Sequence, residues 1–417
     1  MKMYAGKSEL SVFDHAVPQV VVDASTFEEI YPKDTIAGYT SSQIEFNVIG
    51  SDSDYLDLND TLLVVKLKVV QYDGKDITTE VNMVPSNFLM HALFKDVTIS
   101  LNNVKVEDTN DMYTQKAFIE TILNMGSDTK KTFLKSIGYD TNDDERKKWI
   151  QKSATITLCG PLNLDLLDQP IYLLPGIDVN LKLTRNVGSV IFKYIKSSTE
   201  TIAINPEVYI NEAKLIVRRV KVNTSVSIGH QVGLESQNAI YPLQKSRLVQ
   251  FSVPSGSLGE YKDNLFSDDR LPKFVLIALQ SGKQVTGDYS VHASTFQNCN
   301  IKSLTLMRNV DYREFYTTNF EKDDYTQAYV QSMIRNMGLL NKDRNNGITL
   351  DDFKDKYPFF TFVLAPDFDI EQTQLPKTGN LKLDIRFNKA LTETMTMFVY
   401  GVFDSEIQIT KTGMVIV

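Results

Sequence analysis

The chain of 417 residues has little of the chemistry that usually marks an enzyme. It has four histidines, His15, His91, His230 and His292, and none lies within five residues of another. No HxH or HExxH pattern exists, so the usual zinc spacings are excluded. A cupin, which would place two histidines on one strand, is excluded with them. There are two cysteines, Cys159 and Cys299. Two cysteines make no disulfide scaffold, and neither has a basic neighbour that would activate a thiolate. Both sit among apolar strand residues and read as small buried side chains. No GxSxG elbow, Walker A loop or GxGxxG fingerprint occurs. The single tryptophan, Trp149, lies in a charged stretch. Apolar runs such as TLLVVKLKVV and FVLIAL are far too short to span a bilayer. The opening MKMYAGKSELSVFDHAV lacks the apolar core of a signal peptide. We therefore expect no enzyme activity, no cofactor, no metal, no catalytic residue and no transmembrane segment.

Positive charge is also scarce. The net charge is −8 and the pI about 5.2. A protein that coats nucleic acid needs a basic surface, so sequence-specific nucleic acid binding is not expected. The basic runs Arg146, Lys147, Lys148 and Arg218, Arg219, Lys221 read as solvated faces. The paired carboxylates Asp143, Asp144 and Asp351, Asp352 sit in polar loops and read the same way.

What is present is a repeat. Residues 113–126 read YTQKAFIETILNMG and residues 325–338 read YTQAYVQSMIRNMG, with seven of fourteen positions identical. Both segments predict an amphipathic helix. Phe118, Ile122 and Met125 form the stripe of the first, and Val330, Ile334 and Met337 the matching stripe of the second. Asp111 and Asp323 are candidate N-caps, and Gly126 and Gly338 candidate C-terminal glycines. An alternating run precedes each helix, KDVTISLNN (95–103) and KSLTLMRN (302–309). The offset of 212 residues is close to half the chain, which implies a duplicated β-domain.

The rest of the sequence is rich in short strands. Residues 1–40 are polar and aperiodic and predict an extended N-terminal arm that gains order from partners. Strands are expected over 42–49, with Ile44, Phe46 and Val48 inward, and 54–72, with Leu63, Val65, Leu67 and Val69 inward. PSNFLMHALF (85–94) predicts a short helix. Residues 127–150 read as an irregular charged excursion. Strands return at 153–159, 177–186 and 206–222. Residues 223–245 read as a linker with some helix. The second half repeats the pattern, with strands at 247–253, 273–280, 302–309, 359–366, 381–388, 394–403 and 406–417. The expected architecture is all-β: two tandem eight-stranded antiparallel sandwiches, a double jelly roll, each with one flanking helix. The divisions are an arm at 1–40, a first jelly roll at 41–222, a linker at 223–245 and a second jelly roll at 246–417.

One loop, NKDRNNGITLDDF (341–353), resembles an EF-hand calcium loop, with Asn341, Asp343, Asn345, Ile348 and Asp352 at positions one, three, five, eight and twelve. It departs from the pattern at Asn341, at Asn346 where the turn glycine belongs, and at the short Asp352. A polar turn feeding the next strand accounts for the same residues. The two helices could also dock a partner or a membrane surface, but neither has a lysine-rich polar face.

In the order of its motifs the chain resembles the double jelly-roll major capsid proteins of Polinton (Maverick) elements and adintoviruses. These are related more distantly to adenovirus hexon and to the capsid proteins of virophages and large DNA viruses. SELSVF (8–13) is similar to an N-terminal Glu-Leu-x-x-Phe motif. Tyr55, Asp57 and Leu58 match a Tyr-x-Asp-Leu turn. NLDLLDQPIYLLPG (163–176) resembles the Asp-x-x-x-Gln…Leu-Leu-Pro-Gly segment. His230, Leu234, Ala239, Tyr241 and Pro242 match a His…Leu…Ala-x-Tyr-Pro pattern. DNLFSDDRLPKFVLIAL (263–279) resembles the entry to the second jelly roll. The strand and helix at 94–126 and the tail from Leu381 are also similar. The chain departs after Gly287, where YSVHASTFQNCN replaces an Asn-Pro-Phe-like stretch. The resemblance implies a viral structural protein located in the virion and assembled inside the host cell. It implies a homotrimer of pseudo-hexameric outline, with lateral trimer–trimer contacts, minor capsid or penton partners, and an icosahedral shell around double-stranded DNA. A different reading of the residues is a carbohydrate-binding tandem β-sandwich protein, which would need exposed aromatics beside clustered Asp and Asn. A capsid gene copy carried in a host genome with a changed role is another.

Overall fold

The structure is a computed structural model that describes residues 19–36, 42–77, 82–194, 206–267, 270–291, 294–308, 312–343, 345–370 and 372–417. The SELSVF motif, His15 and His292 lie outside these residues. In the first half the strands are β1 (Val22–Ile30), β2 (Gln43–Val48), β3 (Tyr55–Gln71), β4 (Met83–Pro85), β5 (Phe94–Leu101), β6 (Val104–Asp108), β7 (Ile156–Gly160), β8 (Val179–Arg185), β9 (Phe192–Tyr194) and β10 (Pro206–Val222). In the second half they are β11 (Ala239–Val253), β12 (Gly259–Lys262), β13 (Phe274–Ser281), β14 (Ile301–Arg308), β15 (Tyr312–Thr317), β16 (Phe360–Val363), β17 (Leu381–Phe387), β18 (Met395–Ile409) and β19 (Val415–Ile416).

The sheet order identifies the architecture. One sheet of the first half runs β1-β10-β3-β7 and the other β2-β8-β5-β6. In the second half the sheets run β11-β18-β13-β16 and β12-β17-β14-β15. Setting aside the short β4–β9 pair and β19, each half has the order first-eighth-third-sixth in one sheet and second-seventh-fourth-fifth in the other. All pairings are antiparallel. This is a double jelly roll, all-β and eight-stranded in each sandwich.

Alternation explains the strands. On β3, Leu63, Val65, Leu67 and Val69 are completely buried, and on β8 Val179, Leu181 and Leu183 face the same core. β13 reads FVLIALQS and is buried at every position, because it lies between β18 and β16 inside its sheet and is covered on both faces.

The repeated helix falls at the same topological place in both halves, between the fifth and sixth strands. The first copy spans Tyr113–Asn124. The second begins as an α-helix at Thr326–Tyr329 and widens into a π-helical stretch at Val330–Arg335, where Asn336 N–H bonds to the Gln331 carbonyl at 3.0 Å. That widening rotates the buried face. Phe118 and Ile122 are buried as the stripe requires, but Val330 is 42% exposed, and Ala328, Ser332, Met333 and Asn336 are buried instead.

Five further expectations are corrected. Neither Asp111 nor Asp323 caps its helix: both have positive φ, and they pair with Lys95 and Lys354. Gly338 does adopt a left-handed φ of 65°, but Gly126 is extended and leads into the next helix, at Ser127–Lys131. The excursion 127–150 is ordered rather than irregular. It contains the Ser127–Lys131 helix, a 3₁₀ turn at Phe133–Ile137 and a helix at Asp143–Trp149 capped by Asn142. The arm ends earlier than residue 40, because Val22–Ile30 pairs with β10 as an edge strand. The linker is also shorter than 223–245: a helix spans Thr224–Ser236, and Ala239 already pairs with Ile409. Polar Gln244, Lys245 and Ser246 hid that start of β11.

Candidate functional site at the seam of the two jelly rolls

The antiparallel order places the connections β1–β2, β3–β5, β6–β7 and β8–β10 at one end of the first sandwich, and the β4–β9 pairing ties two of them together. The first repeated helix belongs to a connection of this end, and the second to the equivalent β15–β16 connection of the second sandwich. Here the two jelly rolls meet, and their buried apolar residues form one continuous cluster. Phe118 of the first helix lies 5.9 Å from Phe296 and 5.8 Å from Tyr357 of the second sandwich, ring centre to ring centre. Phe296 continues into Phe359 at 4.9 Å, edge to face. Nearby, the Tyr194 N–H donates to the Tyr289 carbonyl at 2.7 Å.

The polar centre of the seam is Lys116, on the same helix as Phe118. Its ammonium is 2.7 Å from Glu107, 3.0 Å from Asp165 and 3.6 Å from Glu120, and its side chain is only 5% exposed. The second jelly roll completes the cluster. The Tyr400 hydroxyl donates to Glu120 at 3.0 Å. The Ser246 N–H and hydroxyl donate to Asp165 at 2.7 and 2.6 Å. Burial would lower the Lys116 pKa, but Asp165, Glu107 and Glu120 outweigh it and hold the amine well above its ordinary value. Burial pushes Glu120 up to about 7, offset by Lys116 and reinforced by the neighbouring carboxylates. Glu107 is raised for the same reason.

Further links cross the seam. Gln169 donates to the Pro242 carbonyl. The Leu174 N–H donates to the Tyr241 hydroxyl at 3.1 Å, and Asn102 donates to the Gly413 carbonyl at 2.8 Å. Gln169, Tyr241 and Pro242 belong to motifs that carried the sequence resemblance, and the structure brings them together. The network cannot perform acid–base catalysis on a substrate, since its groups are sealed between the sandwiches. Its chemistry is adhesive: it fixes the angle between two blocks.

Many other residues singled out in the sequence have structural partners. Arg146 is buried against Asp143 and the Pro85 carbonyl, Lys148 pairs with Glu145, Arg218 with Asp57 and Asp60, and Arg219 with Glu28. His91 is buried against the Tyr113 hydroxyl at 2.9 Å, and burial pushes its pKa down to about 3. His230 meets the Tyr55 hydroxyl at 2.8 Å. Burial pushes the Cys299 thiol up to about 12 and raises Cys159. In the calcium-like loop, Asp352 caps the Leu350–Asp355 helix through Thr349 and pairs with Lys356 at 3.0 Å. Asn346 accepts the Ile348 N–H at 3.1 Å, and Asn345 accepts the Gly347 N–H at 2.8 Å. These oxygens turn onto their own loop. Among the described residues no group of three or more His, Cys, Asp or Glu is placed to hold a metal, and no helix is long and apolar enough to cross a membrane.

With this geometry in hand, comparisons with known proteins are informative. No protein-family model matches the chain. An uncharacterized protein of Caenorhabditis elegans, F54H12.2, is 22% identical over 365 residues, covering 82% of this chain and 85% of the nematode protein. Among solved structures, the PBCV-1 virus capsid matches with a TM-score of 0.63 at 12% identity, over 97% of this chain and 98% of that one. A chain of the Sputnik virophage matches with a TM-score of 0.63 at 11% identity, over 100% and 93%. The mavirus major capsid protein matches with a TM-score of 0.56 at 10% identity, over 100% and 94%. The double jelly-roll fold is thus shared end to end with capsid proteins of a large virus and of virophages.

Proposed function

We propose that this chain is a viral major capsid protein of the hexon-like type, a structural protein of the virion. The observation that carries the reading is the seam. Two jelly rolls of identical strand order are welded by a buried aromatic and ionic interface into one rigid block, so three copies present six similar blocks in a ring. Closed trimers of pseudo-hexameric outline then tile an icosahedral shell around double-stranded DNA. The end-to-end match to capsid proteins supports this. We read the protein as no enzyme.

The chain divides at the Thr224–Ser236 helix, with β1 belonging to the first jelly roll and β11 to the second. Phe27, Tyr261 and Phe315 stand 63%, 52% and 60% exposed on β1, β12 and β15, all at sheet edges, and supply apolar side faces for contacts between chains and between trimers. Minor capsid or penton proteins would complete the shell. A net charge of −8, with the basic runs largely committed to ion pairs, suits a wall that does not itself condense DNA. The order of sequence motifs supports the Polinton–adintovirus type. No observation favours the carbohydrate-binding alternative: Trp149 packs against the core.

Light scattering on the purified full chain tests the proposal, with negative-stain microscopy beside it. Trimers of hexagonal outline, or shells, are expected. A monomer at micromolar concentration would sink it.

A further inference from the structure

A second feature of the seam lies open to solvent. Between the excursion after the first repeated helix and the loop after the second is a cleft of about 310 Å³. That is the lower end of the range for small-molecule sites. Its wall carries four lysines, Lys130, Lys131, Lys135 and Lys356, against two aspartates, Asp140 and Asp352, an excess of two positive charges in a chain of net charge −8.

The aspartates pair with two of the four lysines, Lys356 and Lys135. Asp352 is committed to the helix cap and to Lys356. Asp140 accepts the Asn142 N–H at 2.9 Å and stands 3.9 Å from Lys135. Lys130 is the unusual member. Its amine is buried and donates to two neutral carbonyls, Ile122 at 3.0 Å and Asn346, with no carboxylate in contact among the described residues. Burial lowers its pKa to about 8. An ammonium buried without a counter-ion is costly, and an anion in the cleft would relieve that cost. Gly347 shapes the floor. Its φ is +71°, and a Cβ there would lie 2.4 Å from the Ser127 hydroxyl oxygen, so a side chain at this position would crowd the cleft. Ser127, Tyr139 and Thr141 add hydroxyl groups.

We infer that this cleft binds a small, multiply charged phosphate anion, a polyphosphate chain either free or carried by a nucleotide. Lys131 and Lys135 project from the first jelly roll and Lys356 from the second, so the bound anion cross-links the two excursions. The site is independent of the capsid reading and would be present in an isolated chain.

The test uses the full chain and inorganic tripolyphosphate, by calorimetry and thermal denaturation, with sodium chloride at matched ionic strength as control. Saturable binding at one per chain and a raised Tm are expected. Charge-assisted hydrogen bonds contribute enough that Lys131→Ala with Lys135→Ala should weaken binding at least about tenfold, while Lys131→Arg with Lys135→Arg retains it. ATP in parallel separates the sources: binding more than about tenfold tighter than tripolyphosphate assigns a nucleotide-borne chain, and equal or weaker binding the free anion. Absence of saturable binding at millimolar tripolyphosphate, equal binding by the double alanine variant, or a sodium chloride control that reproduces the Tm shift would overturn the assignment.

Discussion

Replacing Lys116 by methionine keeps most of the side chain's volume and removes the cation at the centre of the buried seam cluster. In the native protein that cation faces three carboxyls at 2.7, 3.0 and 3.6 Å. Breaking a buried ion pair by deleting one partner costs about 3–5 kcal/mol, because the other charge is left buried and uncompensated. The loss should depend on pH. The Glu120 carboxyl titrates near 7 in the folded chain against an ordinary 4.5. A raised carboxyl means that the folded state binds more protons than the unfolded one between those values. Its contribution to stability therefore falls as pH rises through that window, by roughly 3 kcal/mol at about 1.4 kcal/mol per pH unit. Lys116 opposes this rise in both Glu107 and Glu120, so without it both carboxyls shift further up. The variant should lose about 3–5 kcal/mol at pH 8 and about half as much at pH 5.5, where protons replace the missing cation. Urea denaturation of both proteins at the two pH values measures this. A loss below about 1 kcal/mol at pH 8, or one that does not vary with pH, would refute the idea that Lys116 compensates buried carboxylates.

Other outcomes follow from the same seam and from the side faces. Tyr400→Phe removes the hydroxyl that Glu120 accepts and should cost about 1.5–3 kcal/mol in urea denaturation, with no change in the pairing of β18 by hydrogen exchange. Phe118→Ala opens a cavity among Phe296, Tyr357 and Phe88 and should cost about 3–5 kcal/mol. Phe27→Glu and Phe315→Glu change exposed edge residues; each should leave the melting temperature within about 3 °C and shift light scattering from trimer toward monomer.

Strand positions were legible in the sequence because alternation is a local signal. β2, β3, β8 and β10 fall within two residues of their expected bounds, and the inward side chains of β2 and β3 are the ones alternation names. Duplication was legible through the repeated helix and the strand before it. The seam was not. Lys116 sits mid-helix among apolar residues, and nothing nearby in sequence announces Asp165, Ser246 or Tyr400 as its surroundings. These contacts span up to 280 residues. Helix ends were misread as well: Asp111 and Asp323 have the chemistry of caps, but tertiary ion pairs with Lys95 and Lys354 claim their side chains.

The repeat yields a sharper test of what sequence identity conveys. Asn124 and Asn336 occupy the same column of the YTQ…NMG match. In the first helix Asn124 is exposed at the last turn. In the second, the π-helical stretch swings Asn336 inward to 5% exposure, where its amide donates to the Tyr316 hydroxyl at 3.1 Å and the Thr361 carbonyl at 2.6 Å. Thr361 in turn donates through its hydroxyl to the Ser332 carbonyl at 2.6 Å, inside the π-helical stretch. The widened turn is thus held by a buried polar knot, which lets Ser332 and Asn336 replace an apolar stripe. Asn336→Ala should cost about 1–3 kcal/mol by weakening the hydrogen bonding of Thr361 and Tyr316, whereas Asn124→Ala should stay within about 0.5 kcal/mol. Equal effects at the two sites would mean that the π-helical stretch does not set the buried face. Unequal effects in the stated direction would show that one repeated asparagine serves as surface in one jelly roll and as core in the other, so the duplicated halves have diverged at an equivalent position.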